Sequence, residues 1–269
     1  GIGLPLRPHS SMHSAITPMN ILDTMRDLDH EQVMFCQDKD TGLKAIIAIH
    51  HTGLGPALGG TRMWNYASDA EALNDVLRLS RGMTYKSSLA GLNLGGGKAV
   101  IIGDAKTIKT EALLRRFGRF IQNLGGKYIT AEDVSMNSKA LSVIRMETPH
   151  VCGLPENQGG SGDPSPVTAY GVYVSMKAAA KSRWSNESLQ GKRILVQGLG
   201  NVGASLLDHL HKEGAKLFIN DINSERETLM AKRFQATVIP ASQLWDKEYD
   251  IYAPCALGAT LNDESIQKL

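Results

Sequence analysis

Arg193-Ile-Leu-Val-Gln197-Gly198-Leu-Gly200-Asn201-Val202-Gly203 is the stretch whose reading decides the fold. An apolar run of strand type leads directly into Gly-x-Gly-x-x-Gly, and helix-forming sequence follows over Asn201–Lys212, stopped by Gly214. A second strand is expected at Lys216–Asn220, and Asp221 stands eighteen residues past the last glycine. A lone glycine motif is a weak signal, but strand before, helix after and an acid past the second strand form a dinucleotide-binding βαβ unit. The glycines permit a tight turn and let a pyrophosphate approach a helix N-terminus; the acid accepts hydrogen bonds from the adenosine ribose. Asp221 would also repel a 2′-phosphate, and Ile222, not arginine, follows it, which favours NAD over NADP.

Upstream, Gly159-Gly-Ser-Gly-Asp-Pro-Ser-Pro166 has the composition of a linker, and a helix is expected over Val167–Ser182. We therefore expect an α/β protein of two domains: a substrate-binding and catalytic domain over 19–152, and a Rossmann-type dinucleotide-binding domain over 153–269. Residues 1–18, with three prolines, two histidines and no apolar core, read as a disordered extension or tag.

The first domain is organised around Met83-Thr-Tyr-Lys86 and Gly95-Gly-Gly97-Lys98-Ala-Val-Ile-Ile102. The glycine triplet interrupts regular structure and presents Lys98 beside bare backbone at the mouth of an apolar strand. Taken singly, a lysine at a strand edge is as a rule a solvated surface charge. Two ammonium groups in one desolvated pocket would repel one another and lose pKa, as a catalytic base requires. Around them the sequence predicts a helix over Asn20–Leu28 capped by Asn20, strands over Gln32–Gln37 and Leu43–His50, and an irregular glycine-rich loop over Gly53–Arg62. A helix capped by Ser68 and Glu71 should run towards Lys86. A further helix is expected near Thr110–Leu124, then a strand over Lys127–Thr130 that ends in Ala131-Glu132-Asp133. Asp133 either points into a ligand crevice or merely caps the next helix.

With 269 residues, 42% hydrophobic, 21% charged and a formal net charge of +2, the chain has no basic field for nucleic acid and no apolar run of membrane-spanning length. Cys36, Cys152 and Cys255 show no metal-ligand or disulfide spacing, so no metal site is expected and the chain reads as reduced and cytoplasmic. Small-molecule chemistry is the remaining class.

Several motifs together resemble the amino-acid dehydrogenases of the Glu/Leu/Phe/Val superfamily, most of all its leucine dehydrogenases: Gly55-Pro-Ala-Leu-Gly-Gly-Thr-Arg-Met63, Gly82-Met-Thr-Tyr-Lys86, Gly91-Leu-Asn-Leu-Gly-Gly-Gly-Lys98, Thr130-Ala-Glu-Asp133, Pro164-Ser-Pro-Val-Thr-Ala-Tyr170 and Ala253-Pro-Cys-Ala256. Order and spacing match from about Met19 to Leu269. The resemblance implies oxidative deamination of an L-amino acid by NAD, with release of ammonia, in a homo-oligomer. It implies that Lys98 activates the attacking water and Asp133 relays protons, that Lys86 holds the substrate carboxylate, and that Leu58, Gly59, Met83 and Ala131 line its side-chain pocket. Thr168, Cys255 and Ala256 would join the glycine motif in holding the cofactor. Glutamate dehydrogenases carry a lysine where this chain has Leu58, so an apolar, branched-chain substrate is implied; phenylalanine and tryptophan remain alternatives, as does a non-catalytic NAD-binding protein.

The chain departs from the pattern after Asp133, reading Val134-Ser-Met-Asn137 where leucine dehydrogenases tend to have Gly and Thr. The family also continues past the equivalent of Leu269, with further strands, an Asn-Asn-Gln segment and a returning helix. The expectation is therefore a dinucleotide domain incomplete at its C-terminus, with an exposed apolar sheet edge.

Overall fold

The structure, a computed structural model, describes residues 20–258 and 260–269. The expected extension over 1–18 lies outside the described residues. The chain divides into two compact units between Gly162 and Asp163.

In the first unit, α1 (Ile21–Leu28) is capped by the Asn20 side chain, and β1 (Gln32–Asp38) and β2 (Leu43–His51) form an antiparallel hairpin. The loop expected over Gly53–Arg62 instead contributes two short strands, β3 (Ala57–Leu58) and β4 (Thr61–Trp64). Helix α2 (Asp69–Leu89) begins at Ser68, whose hydroxyl takes the Glu71 N–H, while the Glu71 carboxylate reaches past the cap to the Ala67 N–H at 2.7 Å. Strand β5 (Gly95–Ile102), α3 (Glu111–Gln122), β6 (Tyr128–Ile129) and α4 (Ser138–Arg145) complete the unit.

The mixed sheet runs β1-β2-β5-β3-β6, with β4 also on β5. Strand β2 is apolar at successive positions because both its faces are covered. Ile47 and Ile49 meet Phe117, Ile121, Leu141 and Ile144 from α3 and α4, whereas Ile46 and Ala48 meet Leu73, Val76 and Leu77 from α2.

The glycine triplet, expected to break regular structure, is the first three residues of β5. Its composition serves close approach: a Cβ at Gly96 would stand 2.1 Å from the Thr84 amide nitrogen and hydroxyl on α2. Lys98 consequently lies inside the strand, paired with Ala48, and not at its mouth.

The domain boundary also moves. Residues 153–162 belong to the first unit, because Leu154 is buried in its core and the Leu154 carbonyl accepts the Gly162 N–H at 3.1 Å. The Gly/Pro-rich stretch straddles the boundary: residues 159–162 close the first unit, and residues 163–166 open the second and lead into its first helix.

The second unit holds α5 (Ser165–Trp184), β7 (Arg193–Gln197), α6 (Asn201–Lys212), β8 (Lys216–Asn220), α7 (Ser224–Phe234), β9 (Thr237–Val238), β10 (Ile251–Pro254) and α8 (Asp263–Ile266). Its sheet is parallel throughout, in the order β10-β7-β8-β9. The chain winds outward from β7 to β9 and then crosses to the other side of β7, so the direction of winding reverses between β7 and β10. Helices α5 and α6 pack on one face through Ala169, Met176, Leu206 and Leu210. Leu195, Ile239 and Leu244 cluster on the other with Phe218, Trp245 and Tyr252.

Candidate active site

In the first unit three segments distant in sequence converge. Strand β4 lies parallel to β5 with Arg62 opposite Val100, and the turn after β6 carries Asp133. One oxygen of Asp133, Oδ2, accepts the Lys98 ammonium at 2.8 Å and the Arg62 Nε–H at 3.0 Å. Lys98 is only 6% exposed. Burial pushes its pKa below the ordinary lysine value; Asp133 opposes that shift, and the positive charge of Arg62 adds to it. Burial alone would raise the Asp133 carboxyl, but Lys98 and Arg62 outweigh it and hold the group below the usual carboxylate range.

Asp133 does not cap the next helix, because Asn137 does so. It closes a tight turn with Met136 through backbone hydrogen bonds in both directions, and Ser135 inside that turn has a left-handed φ of +62°. The departure at Val134–Asn137 therefore puts a serine where glycine would be unstrained.

The expected pair of lysines is not what lowers Lys98. Lys86, in the last turn of α2, is exposed and has no ion pair among the described residues, whereas the second cation at the Lys98 site is Arg62. Sequence reasoning missed Arg62 as a site residue, although it closes the quoted glycine-rich motif.

Leu58 and Gly59 follow β5's glycines across the sheet, and half-buried Met83 reaches them from α2: its Cγ stands 3.3 Å from a Cβ built on Gly59. Gly59 has no room for a side chain, since that Cβ would fall 1.6 Å from the Gly97 carbonyl oxygen. Ala131 ties its carbonyl to the Thr61 N–H at 3.0 Å, two residues before Asp133.

In the second unit the glycine motif forms the turn from β7 into α6. Gly198 has φ +93°, and a Cβ there would strike the Ala256 nitrogen at 2.5 Å, so the loops after β7 and β10 touch at the winding reversal. A Cβ on Gly203 would meet the Gly198 carbonyl oxygen at 2.0 Å. Gly200 is the N-cap of α6 and supplies no side-chain acceptor, which leaves the first-turn amides at Asn201, Val202 and Gly203 for an anion.

Asp221 follows β8 and takes the Leu199 N–H at 2.6 Å on one oxygen and the Asn223 N–H at 2.8 Å on the other. It thus braces the loop, with lone pairs left for a ribose. Thr168 sits exposed on the first turn of α5, its hydroxyl on the Pro164 carbonyl at 3.0 Å. Cys255 anchors the other loop by its N–H to Gln197 at 2.7 Å; burial raises its thiol to about 11, so it stays a neutral packing group. A bare helix N-terminus over a glycine cradle with an acid at the next strand end fits a nicotinamide dinucleotide.

These features define a dinucleotide-dependent oxidoreductase. The chain belongs to the Glu/Leu/Phe/Val dehydrogenase family: the family model described as the Glu/Leu/Phe/Val dehydrogenase dimerisation domain matches residues 30–150, and that described as Glutamate/Leucine/Phenylalanine/Valine dehydrogenase matches 159–224. It is therefore an amino-acid dehydrogenase. It is 56% identical to a leucine dehydrogenase of Thermoactinomyces intermedius over 251 residues, 93% of this chain and 69% of that one. It is 48% identical to a valine dehydrogenase of Streptomyces virginiae, over 89% of this chain and 68% of that one. The crystal structure of L-tryptophan dehydrogenase from Nostoc punctiforme superposes with a TM-score of 0.66 at 43% identity, covering 93% of this chain and 70% of that chain.

Proposed function

We propose that the protein catalyses the NAD-dependent oxidative deamination of a branched-chain L-amino acid, leucine foremost: amino acid, NAD⁺ and water give the 2-oxo acid, ammonium, NADH and a proton. The observation that carries this reading is the buried Lys98 ammonium on Asp133, an amine that burial makes readier than an ordinary lysine to give up its proton, beside a carboxylate that can take part in the transfer. The first unit acts as substrate-binding and catalytic domain and the second as NAD-binding domain. Bound NAD supplies the hydride acceptor for the substrate Cα.

The chain's own residues do the rest. Lys86 binds the substrate α-carboxylate through its free ammonium, and Leu58, Met83 and Ala131 offer apolar surface to the side chain. Lys98 Nζ takes the proton of the water that attacks the substrate imine, and Asp133 passes protons between Lys98 and the departing amine. Gly198, Gly200, Asn201, Val202 and Gly203 bind the pyrophosphate, Asp221 the ribose, and Thr168, with Cys255 and Ala256, the nicotinamide end. Leucine is favoured over tryptophan by the higher identity to the leucine dehydrogenase. The family model's dimerisation description supports a homo-oligomer built through the first unit, and the free cysteines suit a cytoplasmic setting.

A substrate panel tests this. L-Leucine and L-valine with NAD should give NADH absorbance, with weaker signals from L-phenylalanine and L-tryptophan, none from L-glutamate, and little with NADP. A preference for the aromatic acids would replace the branched-chain reading, and no turnover of any amino acid would overturn the function.

A further inference from the structure

Arg62 is strung between two carboxylates. Its Nε–H lies on Asp133 Oδ2 at 3.0 Å and its Nη1 on Asp75 Oδ2 at 2.9 Å, while its side chain is 13% exposed. The buried Tyr66 hydroxyl donates to that same Asp75 oxygen at 2.7 Å. The chain of contacts is therefore Lys98, Asp133, Arg62, Asp75, Tyr66, drawn from β5, the turn after β6, β4, α2 and the loop between β4 and α2. Each carboxylate receives two donors on one oxygen, and only a planar, multi-donor cation can span both at once.

We propose that Arg62 is a positioning residue for deamination: anchored by Asp75 and Tyr66, it orients the Asp133 carboxylate towards Lys98 and keeps that carboxylate's charge from belonging to Lys98 alone. The inference rests on Lys98 being the base. The reason is electrostatic. A buried lysine facing one unshared carboxylate would form a tight pair and keep its proton, whereas a carboxylate already bound by a guanidinium pulls less on the ammonium. The charged groups acting on Lys98 are Asp133, Arg62 and, behind Arg62, Asp75. Arg78 approaches Asp75 at 3.9 Å, and the buried hydroxyl of Tyr128 on β6 points to the Gly59 carbonyl.

The three variants move Lys98 in predictable directions. Arg62→Met removes a positive charge and leaves Asp133 to Lys98 alone, so the Lys98 titration should rise by about one unit. Asp75→Asn removes a negative charge and leaves Arg62 to Asp133, so it should fall. Tyr66→Phe keeps every charge and removes only the outer anchor, so it should loosen Arg62 with a small shift. Loss of packing alone would let water in and raise Lys98 in all three.

The titration is read by NMR on protein labelled with ¹³Cε-lysine, with Lys98→Arg used to assign the signal; no turnover is needed. A rise in Arg62→Met with a fall in Asp75→Asn supports the proposal. Shifts of the same sign in both, or no shift in Arg62→Met, overturn it, and if Arg62→Met does not fold, a rise in Asp75→Asn does so. Opposed shifts without deaminase activity would overturn the proposed function while still supporting Arg62 as the group that shares the Asp133 charge with Lys98. In active protein, Arg62→Lys should keep KM for the amino acid while lowering kcat at least tenfold, because a single ammonium cannot hold both carboxylates.

Discussion

The Lys98 ammonium and the Asp133 carboxylate meet at 2.8 Å in a site where the lysine is almost completely buried, so neither group can lose its charge without changing the other. Lys98→Ala should lower kcat by at least about two orders of magnitude, the usual cost of losing a general base, with NADH binding nearly unchanged. In wild type, kcat/KM should climb with pH until Lys98 is deprotonated, at a value below that of free lysine because its pKa is depressed. Lys86→Ala should raise the amino-acid KM instead. Steady-state kinetics across pH separate the two, and a Lys98→Ala enzyme with most of its kcat would remove the lysine from the mechanism.

Acid should destabilise the first unit through His30. This ring is 9% exposed, its Nε2 contacts the Leu77 carbonyl at 3.0 Å, and His50 stacks edge-on at 4.8 Å. Burial, then the neighbouring His50, lowers its pKa from 6.5 to about 4. The unfolded chain therefore binds the proton first, and stability falls as pH drops from 6.5 towards 4, by about 3 kcal/mol at full extent. Urea midpoints at pH 7.5 and pH 5 measure this; His30→Gln should lose less stability over that interval than wild type, and an equal loss would exclude His30 as the source.

Two glycines on facing elements should respond in opposite ways to alanine. Gly96→Ala places a methyl group 2.1 Å from the α2 backbone at Thr84, so the helix must lift from the sheet, and we expect a loss of several kcal/mol or no folded protein. Gly82 lies within α2 with nothing within 4 Å of an added Cβ, and Gly82→Ala should stabilise by roughly 0.5–1 kcal/mol. Thermal unfolding of both variants distinguishes close approach from backbone freedom as the reason for glycine.

Cofactor choice should turn on Asp221 and Ile222. Ile222 is 99% exposed, so replacing it costs no packing. Asp221→Ser with Ile222→Arg removes repulsion and adds a phosphate partner, and should shift kcat/KM towards NADP. Because Asp221 also braces the Leu199 N–H, the variant should bind NAD more weakly as well. An unchanged NAD to NADP ratio would assign the choice to another residue.

What the sequence determined by itself is local. Ser68 and Thr110 start their helices because an N-cap needs only a side-chain oxygen within three residues, and Gly198 to Asp221 reads as a βαβ unit because its strand, turn and helix are consecutive. Lys98 and Asp133 stood out as candidates through the glycines and the strand end beside them. Only the tertiary structure decided that β4 runs parallel to β5, and that register is what brings Arg62 to Asp133, seventy-one residues away, and Asp75 to Arg62. It likewise decided that the glycine triplet is strand, since the need for glycine there comes from α2 lying against the backbone, and that Leu154 belongs to the first core. Caps and turns are written in neighbouring residues; the charge a buried lysine faces depends on which distant segments the sheet places beside it, and a linear pattern carries no record of that.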